Sequence, residues 1–229
     1  MRILFILDPL IALNAYKDSS VAMMQSLVAR GHTISVAMQG DVFIQDGQVR
    51  ASATPIELKP GADLHKRDWW SQSSSAVDTP LHAFGAVLMR KDPPFDMEYV
   101  YATHMLEYAQ AQGAKVFNSG AAIRNHPEKL AITEFAEFTA PTLVTRDMER
   151  IKAFHAEHGD VIVKPLDGMG GTGVFRLGHN EPNRNAILET LTHDGSRTIM
   201  AQRYINRGLE NLAMSPDGST LYALMQSPL

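Results

Sequence analysis

The stretch Val161-Ile162-Val163-Lys164-Pro165-Leu166-Asp167-Gly168-Met169-Gly170-Gly171-Thr172-Gly173-Val174 carries the strongest chemical signal in the chain. A strand delivers a lysine, and a glycine-rich turn follows at once. Glycines let backbone N–H groups wrap phosphate oxygens without Cβ clashes. The ammonium of Lys164 sits where it can reach a phosphate. No Gly-Lys-Ser/Thr follows the glycines, so this is not a Walker loop. Lys164 precedes the glycines and the loop lies between two strands, so it is not a dinucleotide fingerprint either. A glycine-rich hairpin turn without a ligand stays open as the plain alternative.

Two further segments could join it. Lys129 lies in Asn125-His126-Pro127-Glu128-Lys129-Leu130, with Pro127 suited to a first helical turn. A lysine near a helix start gains nothing from the helix dipole, which favours a binding role. A solvated surface lysine is the alternative. Met200-Ala201-Gln202-Arg203-Tyr204-Ile205 ends a strand and could offer backbone groups to an adenine edge; an ordinary half-buried strand is the stronger reading of these residues by themselves.

The elements that position these groups follow from hydrophobic patterning. Ile3 to Leu7 is a continuous apolar run, as in a parallel strand buried on both faces. Asp18-Ser19-Ser20 precedes a helical apolar face (Val21, Met23, Met24, Leu27, Val28) and supplies a natural N-cap. Gly31 closes that helix and Thr33 to Met38 is a strand, which completes a βαβ unit. Val42-Ile44 and Val49-Ala51 flank Asp46-Gly47, a hairpin signal. Residues 59 to 80 read as a loop-rich insertion. Ala86 to Met89 is a buried strand, Glu98 to Gln112 a helix and Lys115 to Asn118 a strand. An open α/β domain thus ends near residue 120. The second unit reads as helix Glu128–Phe138, strand Thr142–Val144, helix Asp147–His158, strand Val161–Lys164, strand Gly173–Arg176, helix Asn185–Leu191 and strand Thr198–Ile205.

Composition bounds the function classes. The chain has 229 residues, 45% hydrophobic and 20% charged, as in a globular protein with a sizeable core. A net charge of -4 argues against nonspecific nucleic-acid binding. The absence of cysteine excludes disulfides, thiol catalysis and thiolate metal sites, and fits a cytoplasmic location. The apolar start stops at Asp8-Pro9, too early for a signal peptide. No stretch approaches the roughly 20 apolar residues of a membrane span.

Taken together, the segments resemble the ATP-grasp superfamily and, within it, prokaryotic-type glutathione synthetase. The shared pieces run in family order over residues 1 to about 205. They are Leu7-Asp8-Pro9-Leu10, Lys17-Asp18-Ser19-Ser20, Leu88-Met89-Arg90-Lys91-Asp92-Pro93-Pro94-Phe95-Asp96, Tyr101-Ala102-Thr103, Glu128-Lys129-Leu130, Pro141 to Arg146, Lys164 to Gly171, and Met200-Ala201-Gln202. The resemblance implies a fold: an open parallel-sheet pre-ATP-grasp substrate domain over 1–120, then a partial α+β ATP-grasp domain over 121–205. It implies roles as well. Lys129 and Lys164 would contact the ATP phosphates. Gly168, Met169, Gly170, Gly171, Thr172 and Gly173 would fold over them as a lid. Gln202, Tyr204 and Ile205 would line the adenine hinge, mostly through backbone groups. Asp18, Ser19, Ser20 and Arg90 would shape the γ-glutamylcysteine site, with Arg90 the catalytic candidate. Simple helix capping competes for Asp18-Ser19-Ser20, and a salt bridge with Asp92 or Asp96 competes for Arg90. The implied reaction is ATP-dependent ligation of γ-glutamylcysteine and glycine through an acyl phosphate, with Mg²⁺ bridging phosphates, in a homo-oligomeric enzyme.

After Ile205 the resemblance is expected to stop. The family's Mg²⁺-binding acidic residues and asparagine lie beyond that point, so no metal ligand is assigned here. Residues 206–229 read instead as a hairpin about Pro216-Asp217-Gly218, similar to a piece of a β-propeller blade, and suggest a fused or rearranged reading frame. Little or no ligase activity is expected on that ground. Two alternatives remain: a non-catalytic nucleotide- or dipeptide-binding fragment, and another ATP-grasp carboxylate–amine ligase. The Arg90-Lys91-Asp92-Pro93-Pro94 block argues against the second.

Overall fold

Residues Arg2–Ile6 form β1, and every residue after Arg2 in it is buried. The computed structural model describes residues 1–206, 209–214 and 221–225, the last two stretches as backbone only. They fall into two units, Met1–Pro127 and Glu128–Leu229.

In the first unit β1 is followed by α1 (Ser19–Ala29), β2 (Thr33–Ala37), β3 (Val42–Gln45), β4 (Gln48–Leu58), β5 (Trp70–Gln72), β6 (Val77–Pro80), β7 (Ala86–Met89), α2 (Met97–Ala111), β8 (Val116–Phe117) and α3 (Gly120–Asn125). The sheet order is β3-β4-β2-β1-β7-β8. β1 runs parallel to β2 and β7, and β7 is parallel to β8. The unbroken apolar run of β1 has a direct cause. Leu4 and Ile6 pack with Val87, Ala102 and Leu106 on one face, while Ile3 and Phe5 pack with Val21, Met24 and Ile34 on the other. Each fully buried side chain of this kind contributes about 1.5–3 kcal/mol. Asp46 and Gly47 form the expected two-residue hairpin turn, both at positive φ (50° and 73°).

Two sequence expectations need correction here. Residues 59 to 80 are not only loop: they carry β5 and β6, both paired antiparallel with β4. The reason is β4 itself. Its first half pairs with β3 and β6, and its second half with β2 and β5. Such short strands carry no readable period of their own; the long partner strand creates them. The first unit also extends past residue 120 to include α3. Gly120 lies so close to α2 that a Cβ there would meet the Thr103 carbonyl at 2.0 Å. Arg124 then ties α3 to α2 through Thr103 Oγ1 (3.3 Å) and Glu107 (2.6 Å).

The second unit opens with α4 (Glu128–Ala131) and a 3₁₀ stretch, Ile132–Phe138, broken at Phe135. One continuous helix was expected. Phe135 and Phe138 are exposed, and a helix this short needs a packed apolar face to persist. Then come β9 (Thr142–Thr145), α5 (Met148–His158), β10 (Val161–Pro165), β11 (Phe175–Leu177), α6 (Arg184–Thr192) and β12 (Ile199–Arg203). The sheet order is β11-β10-β12-β9, antiparallel throughout. Ile151, Val161, Val163, Leu188, Ile199 and Ala201 form the core between this sheet and its helices. The expected tail hairpin is present as β13 (Leu209–Met214) paired with β14 (Leu221–Met225). Its Pro-Asp-Gly turn, and with it the likeness to a propeller blade, lies outside the described residues.

Candidate functional site

Strand alternation decides which way Lys164 points. Val161, Val163 and Pro165 are buried, whereas Ile162 and Lys164 are only half-buried. The two sets occupy opposite faces. Across the ladder Ile162 pairs with Gln202 and Lys164 with Met200; Met200 pairs with Val144 and Gln202 with Thr142. Directly opposed residues share a face. Lys164 therefore stands on the sheet face away from the helical core, at the end of β10 where the glycine turn begins.

That turn is built by backbone geometry. Gly170, Gly171 and Gly173 all have positive φ (61°, 78° and 72°). Thr172 N–H donates to the Met169 carbonyl and Val174 N–H to the Gly171 carbonyl, both at 3.1 Å. Gly168 and Gly173 close over the ring of Pro165, where a Cβ would come within 3.1 and 3.2 Å of Pro165 Cγ. Gly170 and Gly171, by contrast, face open space. Their N–H groups take no partner among the described residues, and Met169 to Thr172 are exposed.

Lys129 arrives at the same place. Its ammonium donates to the carbonyl of Gly168 and lies 3.7 Å from Glu128, with the side chain only 11% exposed. Burial and then the positive charge of Lys129 hold the Lys164 ammonium below the ordinary lysine range; Glu128 opposes this more weakly. Two ammonium groups thus act on each other's charge beside the unpartnered N–H groups of Gly170 and Gly171, an arrangement that an anion would relieve. Asp167, at the root of the loop, is ion-paired with Arg197.

The predicted hinge lies at the other end of the face. Tyr204 and Ile205 follow β12 beyond the β10 residue Val161, which pairs with Arg203. Tyr204 is four residues from Met200, the partner of Lys164, or about 13 Å along the strand. An extended nucleotide can span that separation. One expected group is already committed: Tyr204 N–H donates to the Asp160 carbonyl at 2.9 Å. The Asp160 carboxylate is held below its usual range first by the hydrogen bond from Arg176, whose guanidinium stacks 4.0 Å over the Tyr204 ring. The Gln202 amide donates to Thr142 Oγ1 at 2.9 Å.

Arg90, Ser19, Ser20 and Asp18 gather within the first unit. Arg90 Nε donates to Ser20 Oγ (3.1 Å), and an Arg90 terminal nitrogen donates to Ser19 Oγ (2.7 Å). Its partners are thus hydroxyls, not Asp92 or Asp96, because Arg90 turns toward α1. Asp18 caps α1, accepting from Ser20 N–H at 2.7 Å and Val21 N–H at 3.2 Å. A charge pair escaped the sequence reading. Lys91 turns the other way and meets Asp8 at 3.0 Å. The available signal was the position of both residues just past the ends of β1 and β7, where open α/β sheets bind ligands.

Among the described residues no three His, Asp or Glu side chains converge to hold a metal ion. The described residues therefore offer no carboxylate cluster for a magnesium ion, and no step of the reaction is assigned to one. Nor is any described helix long and apolar enough to cross a membrane.

Comparison with known proteins gives the family of both units. The family model for the prokaryotic glutathione synthetase N-terminal domain matches residues 1–124, and that for its ATP-grasp domain matches residues 128–211. A glutathione synthetase from Bordetella parapertussis is 66% identical over 232 residues, covering 100% of this chain and 73% of its own length. That alignment continues past Ile205, where the resemblance was expected to end. A glutathione synthetase from Ralstonia nicotianae is 55% identical over 205 residues, 90% of this chain and 62% of its own. Among solved structures, the RimK domain protein ATP-grasp from Sphaerobacter thermophilus aligns at a TM-score of 0.55 with 20% identity, covering 90% of this chain and 67% of that one; the likeness is one of fold.

Proposed function

Because the chain belongs to the prokaryotic glutathione synthetase family, we propose that it carries the nucleotide-gripping and dipeptide-reading parts of an ATP-dependent ligase joining γ-glutamylcysteine to glycine. The observation that carries this reading is the meeting of Lys129, Lys164 and the Gly168–Gly173 turn at one end of a sheet face. Two cations and the unpartnered N–H groups of Gly170 and Gly171 suit a triphosphate.

The chemistry follows from charge. A carboxylate is a poor electrophile. Its oxygen attacks the γ-phosphorus of ATP and ADP leaves, giving an acyl phosphate. The amine of glycine then attacks the acyl carbon, and phosphate leaves as the amide forms. Lys129 and Lys164 hold the phosphate charge in place, and the glycine turn donates N–H groups to the same oxygens. Closure of that turn keeps water from the acyl phosphate. The β12 end, with Tyr204 and Ile205, receives the base. Arg90, set by Ser19 and Ser20, offers a fixed guanidinium to a carboxylate of the dipeptide.

Calorimetric titration of the chain with a non-hydrolysable ATP analogue and with tripolyphosphate tests the reading. Both are expected to bind, ATP analogue more tightly because the base adds contacts. Absence of binding by either would sink the proposal. A phosphate-release assay with γ-glutamylcysteine and glycine measures turnover separately.

A further inference from the structure

The first unit has a crevice that the proposed reaction does not yet use. It opens at the carboxyl ends of β1 and β7, beside the start of α2. Strand β1 has β2 on one side and β7 on the other, both parallel, so the chain reverses its direction of winding here. That is where open α/β sheets take ligands. A cleft of about 200 Å³ lies at this point, bounded by Asp8, Met38, Gly40, Lys91 and Asp96. A second, more apolar cleft of about 380 Å³ adjoins it and shares Asp8, with Leu10 and Trp70 in its wall.

Asp8 and Lys91 are held unusually firmly for a pair at a surface. Asp8 Oδ1 lies 3.0 Å from the Lys91 ammonium, and Oδ2 accepts from Asp92 N–H at 3.0 Å. The ammonium also donates to the Asp92 carbonyl at 2.6 Å. Tyr99 fixes the Lys91 backbone by donating its hydroxyl to the Lys91 carbonyl at 2.9 Å. The side chains keep 29% and 20% of their exposure. A lysine has three donors and a carboxylate about four acceptor sites. One ammonium proton and two or more lone pairs therefore remain unused, on two residues that both line the cleft. A pair that keeps part of its contact with water adds little to stability, so this bracing suits recognition better than support.

We propose that Asp8 and Lys91 form a subsite for the zwitterionic head of an α-amino acid, with the ligand's ammonium on Asp8 and its carboxylate on Lys91. The inference rests on the ligase reading and deepens it. Both substrates of that reaction carry such a head. A carboxylate contact keeps an amine protonated, and a protonated amine is not a nucleophile. The subsite therefore suits the spectator amine of the γ-glutamyl group. The amine of glycine, which must attack, does not belong there.

The test compares γ-glutamylcysteine with glutarylcysteine, which lacks only the α-amino group, by calorimetry on the full chain. The wild-type chain is expected to favour γ-glutamylcysteine by about tenfold or more, the scale of a charged hydrogen bond. Asp8→Asn keeps an acceptor for Asp92 N–H and is expected to bring the two ligands within about threefold, with its melting temperature checked alongside. Lys91→Met is expected to weaken both ligands equally. Glycine affinity is expected to be the same in Asp8→Asn as in the wild type. Equal binding of the two dipeptides by the wild type, or unchanged discrimination in Asp8→Asn, would overturn the subsite while leaving the ligase reading intact. A selective loss of glycine would overturn the assignment to the γ-glutamyl group. No dipeptide binding at all would remove both.

Discussion

Replacing Lys164 by methionine separates a residue kept for binding from one kept for folding. Methionine preserves an unbranched apolar stem on the half-buried face of β10 and removes only the ammonium. That ammonium is disfavoured in the folded chain, first by burial and then by the charge of Lys129. The unfolded chain pays neither penalty. Lys164→Met is therefore expected to leave stability unchanged or to raise it, by up to about 1 kcal/mol after discounting for solvent screening. Such a gain corresponds to a rise of up to roughly 4–8 °C in a unit of this size. Nucleotide affinity should move the opposite way. A hydrogen bond to a charged group contributes about 1.5–3 kcal/mol, or about a 10- to 150-fold loss when removed. The tripolyphosphate affinity should fall by the same factor, since the ammonium meets phosphate and not base. Scanning calorimetry without ligand and titration with both ligands read the two effects. A fall in stability of more than about 2 kcal/mol would mark Lys164 as a structural residue. A change in affinity below about threefold would remove it from the phosphate site. Either result refutes the reasoning.

Three other outcomes are expected. The lowered ionisation range of Lys164 means that the unfolded state binds more protons in the window between it and the ordinary lysine value of 10.5. Stability should rise with pH through that window while affinity for the ATP analogue falls, and both trends should vanish in Lys164→Met; titration at a pH series measures them. Gly120→Ala should destabilise the first unit by about 1–3 kcal/mol in denaturant melts, because its Cβ would sit 2.0 Å from the Thr103 carbonyl, a backbone atom that cannot turn away. Leu188→Ala, fully buried between α6 and the second sheet, should cost about 2–5 kcal/mol and shift the unfolding midpoint, with nucleotide affinity unchanged under conditions where the chain stays folded.

The sequence determined much of this molecule through short-range physics. An apolar run from Ile3 to Leu7 has one economical reading, a strand covered on both sides. Asp46-Gly47 selects a tight hairpin by its tolerance of positive φ, and Asp18 announces its helix by capping it. Lys164 and its glycines were legible because strand, cation and turn are contiguous. The tertiary structure decided what depends on partners remote in the chain. β5 and β6 exist because β4 is long enough to pair with them. The stretch from Ile132 breaks because its phenylalanines find no packed surface. Arg90 and Lys91 are neighbours in sequence with similar charge, yet one meets the serines of α1 and the other the carboxylate of Asp8. Both follow the end of β7, and only the packing around that end says what each side chain meets. Lys129 joins Lys164 for the same reason: a fold brings together charges that sequence distance conceals.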